Sequence, residues 1–199
     1  RGLGDVYKRQ PLDIVNEYGA DALRTYVLFM GDYGAAAPWN DSSVRGCKRF
    51  LERVAGLTDI MTEEPAAKDM EVKIHKAIKK VSSDIEAMKF NTAIACLMTL
   101  INEIYAVGKI SKNDLVIFIK LLCPFAPHLC EEIWETIGGE GLLSLSQWPE
   151  YEESKTVEAS VEIGVQVNGK VRGTIVIPNG CAKEEALELA KKLSLIHIS

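Results

Sequence analysis

The segment NTAIACLMTLINEIY, residues 91–105, decides the fold, because its apolar side chains recur at the spacing of one helical face. The apolar positions of this face are Ile94, Leu97, Met98, Ile101, Ile104 and Tyr105. A helix with so wide an apolar face has to pack against other helices. The segment therefore predicts a helix from Asn91 that lies inside a helical bundle.

Helical patterns also precede this segment. One begins at Pro11 and runs through Val27, with Gly19 as an interruption that need not end it. A second covers about 44–61, and a third follows the charged linker 62–68. Short connections between such helices are typical of antiparallel neighbours.

The pattern continues downstream. Ser111 and Asp114 form an acidic capping box ahead of a helix over 115–122, and a short helix over 128–137 follows two prolines. The predicted fold class is therefore mainly α, an antiparallel helical bundle of the anticodon-binding-domain type, followed by a small, truncated α/β domain.

This second domain begins where the hydrophobic period switches from helical to twofold. Alternating residues over 161–167 and 171–177 predict two strands around Asn168-Gly169, and a helix is expected over 183–193. A two-residue turn would place Val165 opposite Arg172 and so mix the faces. A longer turn that includes Lys170, or an adjacent bulge, keeps the apolar residues together, and we prefer the longer turn. The expected partners are Val167 with Val171 and Ile163 with Ile175.

Composition narrows the class of protein. The 199 residues carry 23 Lys plus Arg against 28 Asp plus Glu, a net charge of −5, and 47% are hydrophobic. These values argue against disorder, and the acidic total confines any nucleic-acid binding to local basic patches.

We expect no segment able to span a membrane and therefore a soluble, cytoplasmic chain. Five cysteines without a C-x-x-C pair favour buried thiols over disulfides or a metal site.

The two ends of the chain do not continue the pattern of their neighbours. We interpret residues 1–10 and 194–199 as foreign sequence. The expected domains between them are a segment over 11–40, a helical domain over 41–150 and a C-terminal α/β module over 151–193. The missing further strand of that module is consistent with truncation.

Motifs for catalysis are missing from the sequence. It contains no G-x-x-x-x-G-K-[ST], G-x-G-x-x-G, G-x-S-x-G or H-E-x-x-H motif. Paired glutamates such as Glu131-Glu132 lie in first helical turns, where the helix dipole accounts for them. We therefore expect no catalytic residues in this chain and no activity of the chain alone.

Several segments resemble class I aminoacyl-tRNA synthetases. Those resembling the part after the K-M-S-K-S loop are Pro11-Leu12-Asp13-Ile14, Tyr18-Gly19-Ala20-Asp21-Ala22-Leu23-Arg24, Trp39-Asn40-Asp41-Ser42-Ser43-Val44 and Arg49-Phe50-Leu51 with Arg53. Those resembling the helical anticodon-binding-type domain are Phe90-Asn91-Thr92-Ala93-Ile94-Ala95, Cys123-Pro124-Phe125-Ala126-Pro127-His128, Glu131-Glu132, Trp134 and Trp148-Pro149. The stretch 165–173, VQVNGKVRG, is similar to the C-terminal appendage of bacterial-type leucyl-tRNA synthetases, and it is the most specific match.

The resemblance implies a parent enzyme that uses ATP and Mg²⁺ to attach leucine to its tRNA. It further implies a monomer in the cytoplasm with tRNA, leucine and ATP as partners, and no cofactor bound to this portion. The equivalent portion of a valyl-, isoleucyl- or methionyl-tRNA synthetase is one alternative. A non-catalytic helical interaction module is another.

The expected tRNA-binding residues fall into two groups. The resemblance implies that the C-terminal module contacts the tRNA elbow through Lys170 and Arg172, with Asn168 in the same motif and Lys183 beyond it. The other group lies on the bundle: Arg45, Lys48 and Arg49. Such cations contact phosphates and supply affinity, not sequence readout. The alternative for each is an ordinary solvated charge.

Overall fold

The structure is a computed structural model that describes residues 10–31, 39–65, 67–157, 160–167 and 170–178. The chain divides into two compact units, and each is described by itself. Their limits are Arg1–Glu153 and Ser154–Ser199.

The described part of the first unit is built mainly of α-helices. These are α1 (Pro11–Tyr18), α2 (Ala20–Phe29), α3 (Asp41–Ala55), α4 (Lys68–Glu86), α5 (Phe90–Val107), α6 (Lys112–Leu122) and α7 (Pro127–Thr136). Short 3₁₀ turns cover Gly56–Ile60 and Leu143–Leu145, and a third, Glu153–Lys155, includes the limit between the two units. Two short strands, β1 (Met61–Thr62) and β2 (Ile110–Ser111), pair in parallel. The mainly helical fold class is confirmed.

Helix α5 lies in the core, as the pattern predicts. Its buried residues are Ala93, Ile94, Leu97, Leu100, Ile101 and Ile104. They join one apolar cluster with buried side chains of α3, α4, α6 and α7. Helix α5 has 18 residues and a mean hydropathy of 1.4, so it is long and apolar enough to cross a membrane. The sequence expectation that no segment could span a membrane did not identify this helix. A core helix of a bundle meets the same test, and the burial of this face in the cluster accounts for its hydropathy.

The pattern from Pro11 to Val27 forms two helices, α1 and α2, and not one continuous helix. Gly19 separates α1 from α2 and has a φ of +92°, a backbone conformation that favours glycine. The Gly19 N–H still donates to Val15 O at 2.9 Å, so the chain changes direction without losing that bond. The two short helices can therefore pack at an angle that one continuous helix could not adopt.

Helix α3 is shorter than the predicted 44–61. It gives way at Gly56 to a 3₁₀ turn. The Tyr105 hydroxyl of α5 donates to Arg53 O at 2.8 Å, and a Cβ on Gly56 would lie 2.8 Å from that hydroxyl oxygen. A larger residue at position 56 would therefore displace the Tyr105 hydroxyl from its hydrogen bond with Arg53 O.

The predicted cap of α6 is confirmed. The Ser111 hydroxyl accepts from Asp114 N at 3.1 Å, which satisfies one of the free N–H groups of the first turn. The helix begins at Lys112, slightly before the predicted 115.

The described part of the second unit is an antiparallel hairpin of β3 (Ser160–Val167) and β4 (Lys170–Pro178). Ile163 pairs with Ile175, as predicted, but Val167 pairs with Lys170 and not with Val171. The preferred longer turn is therefore wrong. A bulge corrects the register instead, because Val165 pairs with Gly173 and Gln166 with Val171, which leaves Arg172 as the extra residue.

The predicted helix 183–193 and the terminal segments lie outside the described residues. The predicted domain limits at 40 and 150 remain expectations. Described residues before and after position 40 belong to the same unit, the first.

Candidate nucleic-acid interface

Helix α3 carries the bundle's three predicted RNA-binding cations. Its start is fixed by Asn40, whose side-chain oxygen accepts from Ser42 N at 2.9 Å and from Ser43 N at 3.3 Å. Its inner face is buried through Val44, Cys47, Phe50, Leu51 and Val54. This packing fixes the rotation of the helix and so turns Arg45 and Arg49 toward solvent, while Lys48 is half-buried.

These three cations are not neutralised by neighbours. In the described part of the chain none of Arg45, Lys48 and Arg49 forms an ion pair or a hydrogen bond. Glu52 lies one turn after Lys48, at a spacing that permits pairing, but the two do not come within ion-pair distance. The positive charge of α3 is therefore available to a ligand.

Cations on other helices contrast with this group. Several lysines bind carboxylates: Lys73–Glu103 at 3.7 Å, Lys79–Glu153 at 2.7 Å, Lys80–Asp84 at 2.6 Å and Lys109–Glu64 at 2.7 Å. Arg53, at the end of α3, is also engaged, because it donates to Asn102 Oδ1 at 2.6 Å and stacks on Tyr105. In the described part of the bundle, the first two turns of α3 therefore bring three unpaired cations together on one helix.

The spacing of the three cations has an energetic consequence. Arg45 and Arg49 are four residues apart, and Arg45 and Lys48 are three apart. Like charges at these spacings destabilise a helix by about 0.2–0.5 kcal/mol per pair. A bound polyanion would remove this repulsion, so the arrangement is suited to phosphate groups.

The second predicted group lies on the hairpin. Lys170 is the first residue of β4, and Arg172 occupies the bulge. Asn168 and Lys183 lie outside the described residues.

A cleft that sequence reasoning missed lies beside Lys48. It has a volume of about 400 Å³ and is lined by α1, α2, α3 and α7 residues that include Asp21, Glu52, His128 and Glu132. His128 Nδ1 lies 2.7 Å from Asp21 Oδ1. Three carboxylates line this cleft against two basic groups, Lys48 and His128, so it is a poor site for an anion.

The cysteines near His128 are buried. Desolvation raises the pKa of the Cys123 thiol and raises that of Cys130 well above its ordinary value. Burial likewise raises the pKa of Cys47 to about 11. These thiols are therefore protonated at neutral pH, and in the described residues no three metal-ligating side chains come together.

Comparison with known proteins gives a family match. The family model for the anticodon-binding domain of tRNA ligase matches residues 67–187. The chain is 47% identical over 168 residues to a leucine–tRNA ligase of Alkaliphilus oremlandii, covering 84% of this chain and 21% of the relative. It is 43% identical to that of Bdellovibrio bacteriovorus, covering 94% of this chain and 24% of the relative. The chain thus spans less than a quarter of the length of these curated relatives.

A solved structure is similar as well. It is the ternary complex of Agrobacterium radiobacter K84 agnB2 LeuRS, tRNA and LeuAMS, with a TM-score of 0.75 and 32% identity. The similarity covers 94% of this chain and 28% of that one. The described helices therefore share their fold with a part of that structure.

Proposed function

Because this chain belongs to the family defined by the anticodon-binding domain of tRNA ligases, we propose that it is the tRNA-binding C-terminal portion of a leucine–tRNA ligase. The observation that carries this proposal is the identity of 38–47% to leucine–tRNA ligases over 84–94% of the chain. That similarity favours leucine over valine, isoleucine or methionine, and it makes a free-standing interaction module the weaker alternative.

The proposed ligand of the α3 cations is the phosphate backbone of tRNA. In the described part of the chain Arg45 and Arg49 are exposed and have no carboxylate partner, and Lys48 of the same helix is half-buried. Lys170 and Arg172 of the hairpin, with Asn168 and Lys183, form the second proposed group of contacts. Contacts with phosphate position an RNA and supply salt-dependent affinity without reading its sequence.

The chemistry of the whole enzyme is a proposal as well. In this proposal the parent protein attaches leucine to tRNA with ATP and Mg²⁺ in the cytoplasm, as a monomer. In the same proposal this portion of the enzyme contributes tRNA binding, and the catalytic groups belong to the rest of the enzyme. The role of this portion is to hold the tRNA in register, which lowers the entropic cost of presenting its 3′ end elsewhere on the enzyme.

Binding of tRNA can be tested with two double variants of the chain. Arg45→Gln with Arg49→Gln removes the exposed α3 cations, whereas Lys68→Gln with Lys112→Gln removes the same charge from the starts of α4 and α6. We expect only the α3 variant to weaken binding of a leucine-accepting tRNA and to reduce its salt slope by about one per lost phosphate contact. Equal affinities and slopes for both variants would reject the α3 interface.

The amino acid requires a different experiment. The genomic locus that encodes this chain would be sequenced upstream, and the complete encoded protein assayed for charging with leucine, valine, isoleucine and methionine. We expect ATP-dependent charging with leucine alone. Charging with another amino acid, or the absence of any charging by the complete protein, would contradict the proposal.

A further inference from the structure

A second cavity lies on the bundle, and none of its lining residues belongs to the acidic cleft beside Lys48. It has a volume of about 340 Å³, within the range of about 300–1,000 Å³ that is usual for ligand pockets. Its lining includes Arg24 of α2, Lys120 of α6, Pro124 just before α7, Pro127 at the first position of α7, and Leu143 and Trp148 beyond that helix. No described residue of this lining is an acid.

Two cations line this pocket, and both are held by neutral groups. Arg24 Nη2 donates to Pro124 O at 3.0 Å, and Lys120 Nζ donates to Gln147 O at 3.1 Å. A carbonyl oxygen orients a cation without cancelling its charge, and each side chain keeps further N–H donors. Neither residue forms an ion pair in the described part of the chain. Two oriented positive charges therefore lie at one pocket.

Asp21, three residues before Arg24 on α2, is engaged by Leu129 N and His128 Nδ1. Glu131 also lies close to this lining, and its carboxylate is already engaged. It accepts from Leu143 N at 2.7 Å and from Ser144 N at 2.9 Å. Desolvation acts against its ionisation, but these bonds, with one from the Ser144 hydroxyl, lower the pKa of Glu131 below its ordinary value. Its charge therefore holds the 143–144 backbone in place and is not paired with Arg24 or Lys120.

The remaining wall is apolar and aromatic. The indole N–H of Trp148 donates to Ser82 Oγ at 2.8 Å, so what Trp148 offers to the pocket is its carbon surface. Its side chain is 37% exposed, which leaves part of the ring accessible. Pro124, Pro127 and Leu143 complete this wall. Aromatic rings of this kind stack with nucleic-acid bases of any sequence.

From these observations we infer that the pocket binds a nucleoside phosphate. The phosphate is bound by Arg24 and Lys120, and the base lies against Trp148. The two cations supply charge-assisted hydrogen bonds to the phosphate oxygens, and the apolar wall takes the flat face of the base. The ligand is either a free mononucleotide or one nucleotide of an RNA chain, and both present the same chemistry to the pocket.

The test is calorimetric titration of the 199-residue chain with three probes: adenosine 5′-monophosphate, adenosine, and the dinucleotide ApA. We expect the monophosphate to bind and adenosine, which lacks the phosphate, to bind at least about tenfold more weakly. Binding of ApA would identify a chain phosphodiester as an acceptable source. Binding of the monophosphate without ApA would identify the free nucleotide. Equal binding of adenosine and the monophosphate, or no binding of either phosphate, would overturn the inference.

Variants locate the site. Lys120→Gln removes a pocket cation, and Lys112→Gln removes a cation from the same helix outside the pocket. We expect about tenfold weaker binding for Lys120→Gln and no change for Lys112→Gln. Arg24→Gln provides an independent second variant if the first lowers the melting temperature. Equal affinities in all three variants and the parent chain would place the phosphate elsewhere and reject this pocket.

Discussion

Asp21 caps helix α7 from a distance of more than a hundred residues in sequence: its Oδ2 accepts from Leu129 N at 2.8 Å and its Oδ1 lies 2.7 Å from His128 Nδ1. The residue before α7, Ala126, offers no side-chain cap of its own. The Asp21 side chain is 11% exposed, whereas that of His128 is 74% exposed. The carboxylate therefore lies at the junction of α2 and α7, and the imidazole covers its solvent side.

The contact between Asp21 and His128 predicts that replacing Asp21 lowers the free energy of unfolding more than replacing His128 does. Asp21→Ala removes the acceptor of a helix N-terminal N–H and should lower the free energy of unfolding by about 1–3 kcal/mol. His128→Ala removes a largely exposed contact and should lower it by less than about 1 kcal/mol. Urea denaturation of both variants and the double variant measures this. A larger loss for His128→Ala would contradict the cap.

Two glycines predict opposite responses to the same substitution. A Cβ on Gly139 would lie 2.1 Å from ring atoms of Trp134, whereas a Cβ on Gly46, inside α3, meets nothing within 4 Å. Gly139→Ala should therefore destabilise the chain by about 1–3 kcal/mol through overpacking. Gly46→Ala should stabilise it by about 0.5–1 kcal/mol, because alanine is the better helix former. Thermal unfolding of both variants gives the comparison, and destabilisation by Gly46→Ala would show that the space beside it is filled.

Glu131 predicts a loss of stability in acid. The hydrogen bonds from Ser144 and Leu143 outweigh its desolvation and lower its pKa from the ordinary 4.5. A group whose pKa is lowered by folding contributes stability that is present above its unfolded pKa and is lost as the pH falls through its folded pKa. Glu131→Gln should thus be less stable than the parent chain at pH 7, and the difference should shrink below about pH 4.5.

The control for this pH dependence is the neighbouring Glu132→Gln. Its carboxylate receives no hydrogen bond in the described part of the chain. Unfolding free energies measured from pH 7 to pH 3 should therefore show a converging difference for Glu131→Gln alone. A constant difference between Glu131→Gln and the parent chain would mean that the carboxylate's charge is not what holds the 143–144 backbone.

Much of the bundle could be predicted from local sequence. The buried face of α5 and the Ser111 cap of α6 depend on residues within one or two helical turns. The spacing of these residues in the sequence is therefore enough to predict both features. The break at Gly19 was not predictable in this way, because an isolated glycine is tolerated inside many helices. The structure shows the break through the φ of +92° at Gly19.

Some of the candidate functional residues could be predicted from local sequence, and others could not. The unpaired cations of α3 could be named from their helical spacing, although their lack of partners is visible only in the structure. The pocket of Arg24 and Lys120 could not be predicted, since its walls come from segments about a hundred residues apart. The predicted register of the hairpin was wrong because the hydrophobic pattern is ambiguous. Both a longer turn and a bulge keep apolar residues on one face, so the hydrophobic pattern alone does not choose between them.

Asp114 predicts a pH dependence opposite in sign to that of Glu131. It is 4% exposed, and its Oδ2 has no hydrogen-bond partner in the described part of the chain. Desolvation is the main cause of its raised pKa. The Ser111 hydrogen bond and His75 oppose the increase, and the negative charge of Glu71 adds to it. Because the folded pKa lies above the ordinary 3.8, the contribution of Asp114 to stability is present below that pH and is lost as the pH rises through the folded pKa.

Asp114→Asn removes this titration while keeping the size of the side chain. The stability of the variant relative to the parent chain should therefore rise as the pH increases from about 3 to 7, as ionisation of the buried carboxyl destabilises only the parent. Asp69→Asn, an exposed acid in the first turn of α4, serves as the control and should show no such trend. Chemical denaturation at several pH values measures both differences. If the Asp114→Asn difference stayed constant or fell with pH, the unpartnered oxygen would have to be solvated in the folded chain, and the burial of this carboxyl would carry no cost.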